Sequence, residues 1–219
     1  MTTMLPTAGE QLSTSLKNQT AEAHTSAENS QFMADLSRGR LDRNAVAQLT
    51  AQYFHIYSAL EAAVRRAGEH PAVALIADKR LERVEAITQD LTSMLGESWH
   101  EVEPLAATAH YVAELEGLGP DNGPEVVAHH YVRYLGDIAG GQVLARVFRE
   151  AYELPGEALH FYDFSAIGKI PPYRAQYKAA LDAMQLGEEE RARLVNTAKR
   201  AFDLNQAVFQ DLAKARQLA

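Results

Sequence analysis

The segment Gly136-Asp137-Ile138-Ala139-Gly140-Gly141-Gln142 places three glycines inside a stretch that otherwise has the pattern of one long helix. Its flanks, residues 126–135 and 143–152, contain no proline. Each interior glycine costs a helix about 1 kcal/mol relative to alanine, so three together need an explanation. Gly136 and Gly140 are four residues apart and share one helix face, where bare backbone would let a large, flat group come close. A helix break with a turn is the simpler alternative.

Helical periodicity extends outward from this segment over most of the chain. Apolar residues recur at three- and four-residue spacings, as in Leu49, Tyr53, Ile56, Tyr57 and Leu60. The pattern predicts helices at roughly 8–28, 42–68, 78–95, 106–117, 122–150, 172–185 and 187–216. Strand-like alternation is absent, and Pro172 suits the first turn of a helix beginning near Tyr173. We therefore predict an all-α fold with a single compact domain over residues 1–219, flexible at about 1–7 and 217–219.

Composition narrows the classes of function. The chain has 219 residues, 47% of them hydrophobic, which is enough for one sizeable core. Its formal charge of −8 argues against nucleic acid or an anionic membrane as the main partner. The sequence shows no apolar run of about 18 residues, no secretory signal and no hydrophobic tail, so we expect a soluble protein with no membrane anchor. The absence of cysteine excludes disulfides, thiolate ligands and a cysteine nucleophile.

Several segments match one known pattern. Residues 131–137, continuing to Gly140-Gly141-Gln142, are similar to the distal-helix signature of the heme oxygenase family, and residues 20–33 are similar to its proximal-histidine helix. Similar segments also occur at residues 53–61 and 201–209, in the same order and at the same spacing. The strongest likeness is to soluble actinobacterial members that degrade heme to obtain iron. The resemblance implies a helical domain that holds heme between a proximal N-terminal helix and a kinked, glycine-rich distal helix.

His24 is the candidate ligand of the heme iron. A histidine in an amphipathic helix is more often a surface or packed residue, but two neighbours favour the ligand. Glu28, one turn later, is placed to influence the imidazole nitrogen that faces away from a metal. Lys17 lies two turns earlier, about 10 Å along the helix axis, which suits the edge of a porphyrin. By resemblance, His24 is the axial ligand and Lys17 contacts a propionate, which leaves the opposite iron site open to dioxygen.

The distal helix would supply the catalytic residues. The resemblance implies that oxygen attacks a meso carbon of the same porphyrin that activates it. Gly136 and Gly140 would let the helix backbone press on the ring, and Asp137 would supply protons through ordered water. Arg133, four residues before Asp137, would form a charged pair with it. The remaining family positions of this hydrogen-bond network are Tyr57 and Asn205, for which ordinary core pairing is the alternative.

A second group of residues matches family positions that contact the propionates, namely Tyr131, Arg174 and Lys178. Arg174 and Lys178 are four residues apart, so both can face one carboxylate-bearing edge, although a solvated basic face is the commoner meaning of such a pair. In the family's usual pattern Lys comes first and Arg second. Arginine binds carboxylates bidentately and lysine as a point charge, so the exchange bears on which meso position is cleaved.

Two other functions fit parts of the sequence. Glu97-x-x-His100 and Glu157-x-x-His160 match a di-iron pattern, but both lie in connectors rich in Gly and Pro instead of long helices. A heme carrier or sensor without turnover would use His24 and the basic edge but would not need Asp137 or the glycines.

The resemblance therefore implies an enzyme that cleaves heme to biliverdin, carbon monoxide and ferrous iron. Heme b (iron protoporphyrin IX) would be bound non-covalently as both substrate and cofactor, with dioxygen as co-substrate. No flavin, nicotinamide or iron–sulfur motif is visible, so electrons would come from an external reductase or ferredoxin. We expect a cytoplasmic monomer, and both iron acquisition and bilin supply fit as the purpose of the reaction.

Overall fold

The computed structural model describes residues 10–217 and contains no strand within that range. Flexibility was predicted for residues 1–7 and 217–219. Residues 1–7 and 218–219 lie outside the described part of the chain, whereas Gln217 is the last residue of a helix. The main helices are α1 (Leu12–Glu28), α2 (Gln31–Ser37), α3 (Arg43–Arg66), α4 (Pro71–Ala74), α5 (Val84–Leu95), α6 (Ala106–Glu116), α7 (Gly123–His130), α8 (Gly136–Ala151), α9 (Ile170–Asp182) and α10 (Glu188–Gln217).

The helical pattern of the sequence predicted these elements well, with corrections at their ends. Residues 78–95 form a short 3₁₀ turn followed by α5, because Glu82 has extended backbone between them. The helix predicted from 172 begins at Ile170, and both prolines occupy its first turn, where a missing N–H costs nothing. Between α8 and α9 the chain forms only short 3₁₀ turns, Gly156–Ala158, His160–Tyr162 and Ser165–Ile167.

One hydrophobic core joins both ends of the described chain. The longest helix, α10, packs against α1, α6 and α7, and α3 packs against α5 and α6. The periodic residues predicted for α3, Leu49 through Leu60, are all buried. On α10 the buried positions recur at three- and four-residue spacings, which places one stripe of that helix inside the molecule.

The distal helix does not break at its glycines. It continues from α7 to α8 through a π-helical turn over Tyr131–Leu135, just before Gly136. A π turn inserts about one extra residue and rotates the following side chains by about 100° around the axis. The irregularity of this helix therefore precedes the glycines, and the alternative of a helix break at the glycines is wrong.

The two Glu-x-x-His patterns lie outside the long helices. Glu97 and His100 belong to a 3₁₀ segment, Gly96–Glu101, and Glu157 lies in another short turn. His160 is bound to the buried carboxylate of Asp90, with Nδ1 and Oδ1 3.0 Å apart. This arrangement does not match a di-iron bundle.

Candidate active site

A cavity of about 410 Å³ lies between α1, the distal helix and α10. It adjoins a second one of about 360 Å³ that opens along α1 and α9. The two cavities share a set of lining residues: His24, Val132, Gly136, Ala139, Arg174 and Phe202. The predicted proximal helix, α1, and the predicted distal helix therefore line one continuous space.

His24 enters this space from α1. Its side chain is 48% exposed, and Nδ1 lies 3.4 Å from Oε2 of Glu28, as the spacing predicted. The imidazole meets the ring of Phe202 edge to face, with centroids 5.5 Å apart. These two contacts limit rotation of the imidazole and leave Nε2 without a partner in α1, which is the state expected of a metal ligand.

The glycines of the distal helix differ in what they face. Gly136 and Gly140 line the larger cavity, and a Cβ added at either position would meet no atom of residues 10–217 within 4 Å beyond the neighbouring backbone of its own helix. A Cβ at Gly141 would lie 3.1 Å from Cδ1 of Tyr162. Packing within the protein therefore accounts for the third glycine only. Gly136 and Gly140 instead present a stretch of bare backbone to the cavity.

Four polar side chains form a network at the back of this cavity. The phenol of Tyr57 accepts a hydrogen bond from Nε of Arg133 at 3.3 Å and donates one to Oδ2 of Asp137. Nη1 of Arg133 donates to Oδ1 of Asn205 at 2.5 Å. The predicted network is present, but Arg133 and Asp137 are bridged by a phenol instead of forming a direct pair. Tyr57 is fully buried and supports Asp137 from behind without lining the cavity.

Burial controls the electrostatics of this network. Burial raises the pKa of the Asp137 carboxyl above its ordinary value, while the charge of Arg133 and the hydrogen bond from Tyr57 oppose that rise. Burial also raises the pKa of Tyr57 well above its usual range, so its phenol stays protonated and can donate. Asp137 lines the cavity, and Oδ1 accepts no hydrogen bond from the described residues. The carboxyl group can therefore take up or hold a proton at the cavity surface.

The predicted basic edge lines the second cavity. Lys17, Tyr131, Arg174 and Lys178 all contribute to its wall. Arg174 is half-buried and reaches both cavities, whereas Lys17 and Lys178 are exposed. Burial raises the pKa of Tyr131, so this phenol is a neutral hydrogen-bond donor at the same edge. The site therefore places three cations and a phenol along one side.

The residues present fit a flat, largely apolar group with an anionic edge. Two buried nitrogens, Nη2 of Arg133 and Nε of Arg174, have no hydrogen-bond partner among residues 10–217. Buried donors are normally satisfied, so each points to water or a ligand. Together with the open faces of Gly136 and Gly140, they match a porphyrin with its ring against the distal helix and its carboxylates near Arg174.

The sequence did not predict the apolar wall of the site. It comprises Met33, Tyr53, Val132, Leu144, Phe161, Tyr162, Phe202 and Phe209. Phe202 and Phe209 lie two turns apart on α10 and flank Asn205, a spacing that could have indicated their shared face. Phe161 and Tyr162 lie in a short 3₁₀ turn, for which helical periodicity provides no signal.

Comparison with known proteins agrees with this geometry. The family model described as heme oxygenase matches residues 10–211. Heme oxygenase 1 of Rattus norvegicus is 37% identical over 212 residues, covering 95% of this chain and 73% of the relative. The chain belongs to the heme oxygenase family. It is accordingly an oxidoreductase that degrades heme to biliverdin, with heme as substrate and cofactor.

Solved structures support the same assignment. Heme oxygenase-2 from Synechocystis sp. PCC 6803, in complex with heme and NO, superposes with a TM-score of 0.89 at 32% identity, over 94% of this chain and 86% of that one. Heme oxygenase-1 from the same cyanobacterium, in complex with heme, gives 0.88 at 28% identity, over 95% and 97% of the two chains. Among residues 10–217, no helix has both the length and the apolarity required to cross a bilayer.

Proposed function

We propose that heme binds between His24 and the bare backbone of Gly136 and Gly140, with His24 as the iron ligand. The observation that carries this assignment is that these three residues line one cavity, although 112 positions separate His24 from Gly136 in sequence. Glu28 holds the imidazole by its other nitrogen, and Phe202 supports the ring from the side. Bound in this way, heme supplies the iron that activates dioxygen and the meso carbon that is oxidised.

The distal residues control protons and water in this proposal. Oδ1 of Asp137 holds a water molecule at the cavity surface, and the phenol of Tyr57 fixes the carboxyl group through Oδ2. Arg133 keeps the phenol in place and offers Nη2 to the same water network. Asn205 orients Arg133 through Nη1. A proton donor held in this way acts through an ordered water and does not occupy the oxygen site itself.

The basic edge sets how the porphyrin lies in its plane. Lys17, Tyr131, Arg174 and Lys178 bind the propionates. Arg174 is the principal contact, because its Nε is buried and has no partner in the described part of the chain. A guanidinium can bind a carboxylate through two parallel hydrogen bonds, which restricts rotation more than an ammonium does. The exchange of Arg and Lys relative to the family's usual order thus bears on the position of cleavage.

Members of this family receive electrons from a reductase. We propose that the donor here is a separate reductase or ferredoxin and that the protein acts as a monomer in the cytoplasm.

The decisive experiment adds a reductant to the heme-loaded protein in air. An oxygenase loses its Soret band, produces a bilin detectable by absorbance and chromatography, and releases carbon monoxide. The same sample without oxygen is the control and should keep its Soret band. A carrier or sensor would keep the band under both conditions, and that result would refute the proposed turnover.

A further inference from the structure

Helix α9 presents two adjacent stripes with different partners. Arg174 and Lys178 face the cavity edge, whereas Tyr173 and Tyr177, each one position earlier, are buried. Before α9 the chain has only short 3₁₀ turns, and among the long helices α9 packs mainly against α1. The position of the propionate-binding pair relative to the distal helix therefore depends on side-chain bonds.

One such bond joins α9 directly to the distal helix. The phenol oxygen of Tyr177 lies 2.7 Å from Nδ1 of His130, and the two rings stack with an interplanar angle of 12°. His130 is the last residue of α7 and directly precedes Tyr131, the phenol of the basic edge. Burial lowers the pKa of His130 to about 3, so its imidazole is neutral and can accept from the phenol.

Two further bonds attach the ends of α9 to other elements. The hydroxyl of Tyr173 donates to Oδ2 of Asp78 at 2.8 Å, before α5. At the other end, Asp182 accepts from the amide and the hydroxyl of Ser13 at 2.8 and 3.0 Å, one turn before Lys17. Of the three attachments, only Tyr177 reaches the helix that forms the distal wall.

We propose that Tyr177 and His130 are positioning residues for cleavage specificity, because their hydrogen bond fixes Arg174 and Lys178 relative to Tyr131. This inference rests on the proposed function, in which those three residues bind the propionates. Loss of the bond lets α9 shift against the distal helix, so that heme occupies a second in-plane orientation and a second meso carbon meets the oxygen. Neither Tyr177 nor His130 touches the cavity.

The test variant is Tyr177→Phe, which removes one oxygen atom and keeps the stacked ring. The chain provides a matched control in Tyr111→Phe, since Tyr111 makes the same kind of buried bond to Nδ1 of the neighbouring His129, at 3.2 Å, but attaches α6 to α7. Two measurements are made on each: chromatography of the biliverdin isomers, and the heme-methyl proton resonances of the ferric cyanide complex, which report ring orientation without turnover.

In Tyr177→Phe we expect a second isomer at roughly a tenth of the product or more, and a second set of methyl resonances. Loss of a single hydrogen bond, on the scale of about 1.4 kcal/mol, changes the ratio of the two heme orientations about tenfold. Tyr111→Phe should match the parent. His130→Asn, whose amide can still pair with the phenol, should keep a single isomer. His130→Leu should behave like Tyr177→Phe and replaces it in the test if Tyr177→Phe is poorly folded.

An unchanged isomer and unchanged resonances in Tyr177→Phe and His130→Leu would overturn the proposal, and so would an equal change in Tyr111→Phe. Failure of the proposed propionate contacts has a different signature, because Arg174→Ala and Lys178→Ala would then keep the heme affinity and the single isomer of the parent. The methyl resonances of Tyr177→Phe would still test the positioning of heme in that case.

Discussion

At the scale of single residues, His24 carries the assignment of the iron ligand. Its side chain is half exposed and contacts Glu28 and Phe202, so His24→Ala should change the free energy of unfolding by about 0.5 kcal/mol or less. The variant should lose the absorbance spectrum of histidine-ligated heme, and added imidazole should restore it. His110→Ala, another exposed helical histidine outside the cavity, is the control. A parent-like spectrum and full turnover in His24→Ala would mean that another residue ligates the iron.

Asp137 separates catalysis from binding. Replacement by alanine removes the cavity-facing Oδ1 but leaves His24, the glycines and the basic edge in place. Heme affinity should stay within a factor of about two, whereas bilin formation should fall about 10²- to 10⁴-fold, the usual contribution of a positioned proton donor. Asp137→Asn retains an acceptor for Tyr57 and a group that holds water, so it should lose less. Single-turnover rates measure both, and a parent rate in Asp137→Ala would contradict the proton role.

At the scale of elements, the distal helix carries glycines that cost it stability. Gly136→Ala and Gly140→Ala add a methyl that meets no protein atom, so each should stabilise the heme-free protein by up to about 1 kcal/mol. The same methyl enters the space assigned to heme and should weaken heme binding by about 1–3 kcal/mol, as overpacking does. Urea unfolding without heme and heme titration measure the two effects.

Gly141→Ala is the internal control for that pair. Its methyl would crowd Tyr162 at 3.1 Å, so the variant should gain no stability from improved helix propensity. Heme affinity that is unaffected by both Gly136→Ala and Gly140→Ala would show that the bare face does not contact the ring.

The basic edge spans α1 and α9, and the burial of each cation predicts how much it contributes to heme affinity. Arg174→Ala should weaken heme binding about 10- to 100-fold, because a charge-assisted contact from a half-buried group contributes about 1.5–3 kcal/mol. Lys17→Ala and Lys178→Ala remove exposed cations and should cost less than about fivefold, an effect that added salt diminishes. Heme titrations at low and high salt distinguish the two cases, with Lys214→Ala, remote from the cavity, as the control. Equal losses at all three positions would remove the special role of Arg174.

At the scale of the whole molecule, heme joins helices that share one core. A ligand that binds only the folded state adds about 2.7 kcal/mol at a free concentration 100 times its Kd. Unfolding midpoints should therefore rise equally in far-UV circular dichroism and in the fluorescence of Trp99, the only tryptophan, which lies outside the cavity. Metal-free protoporphyrin IX should stabilise the parent less than heme does, and the two should be equal in His24→Ala. Separate midpoints from the two probes would show that heme stabilises one part of the molecule alone.

Local interactions allowed the main helices and part of the candidate site to be predicted from the sequence. Apolar spacing predicted the main helices, because a buried helix face needs a residue every three or four positions regardless of what covers it. Gly136 and Gly140 lower the stability of a helix, and this indicated an unusual surface. The His24–Glu28 contact follows from their spacing of one helical turn. The family resemblance supplied the remaining site residues, and the structure places all of them in the cavity wall or directly behind it.

Only the tertiary structure decided how those residues meet. The π turn before Gly136, the phenol of Tyr57 between Arg133 and Asp137, and the ring of Phe202 against His24 have no local signature. The phenol bridge and the Phe202 contact join segments far apart in the chain, where packing selects among several faces that local sequence allows. The same holds for Tyr177 and His130, which lie 47 positions apart in the chain and whose bond helical periodicity alone does not specify.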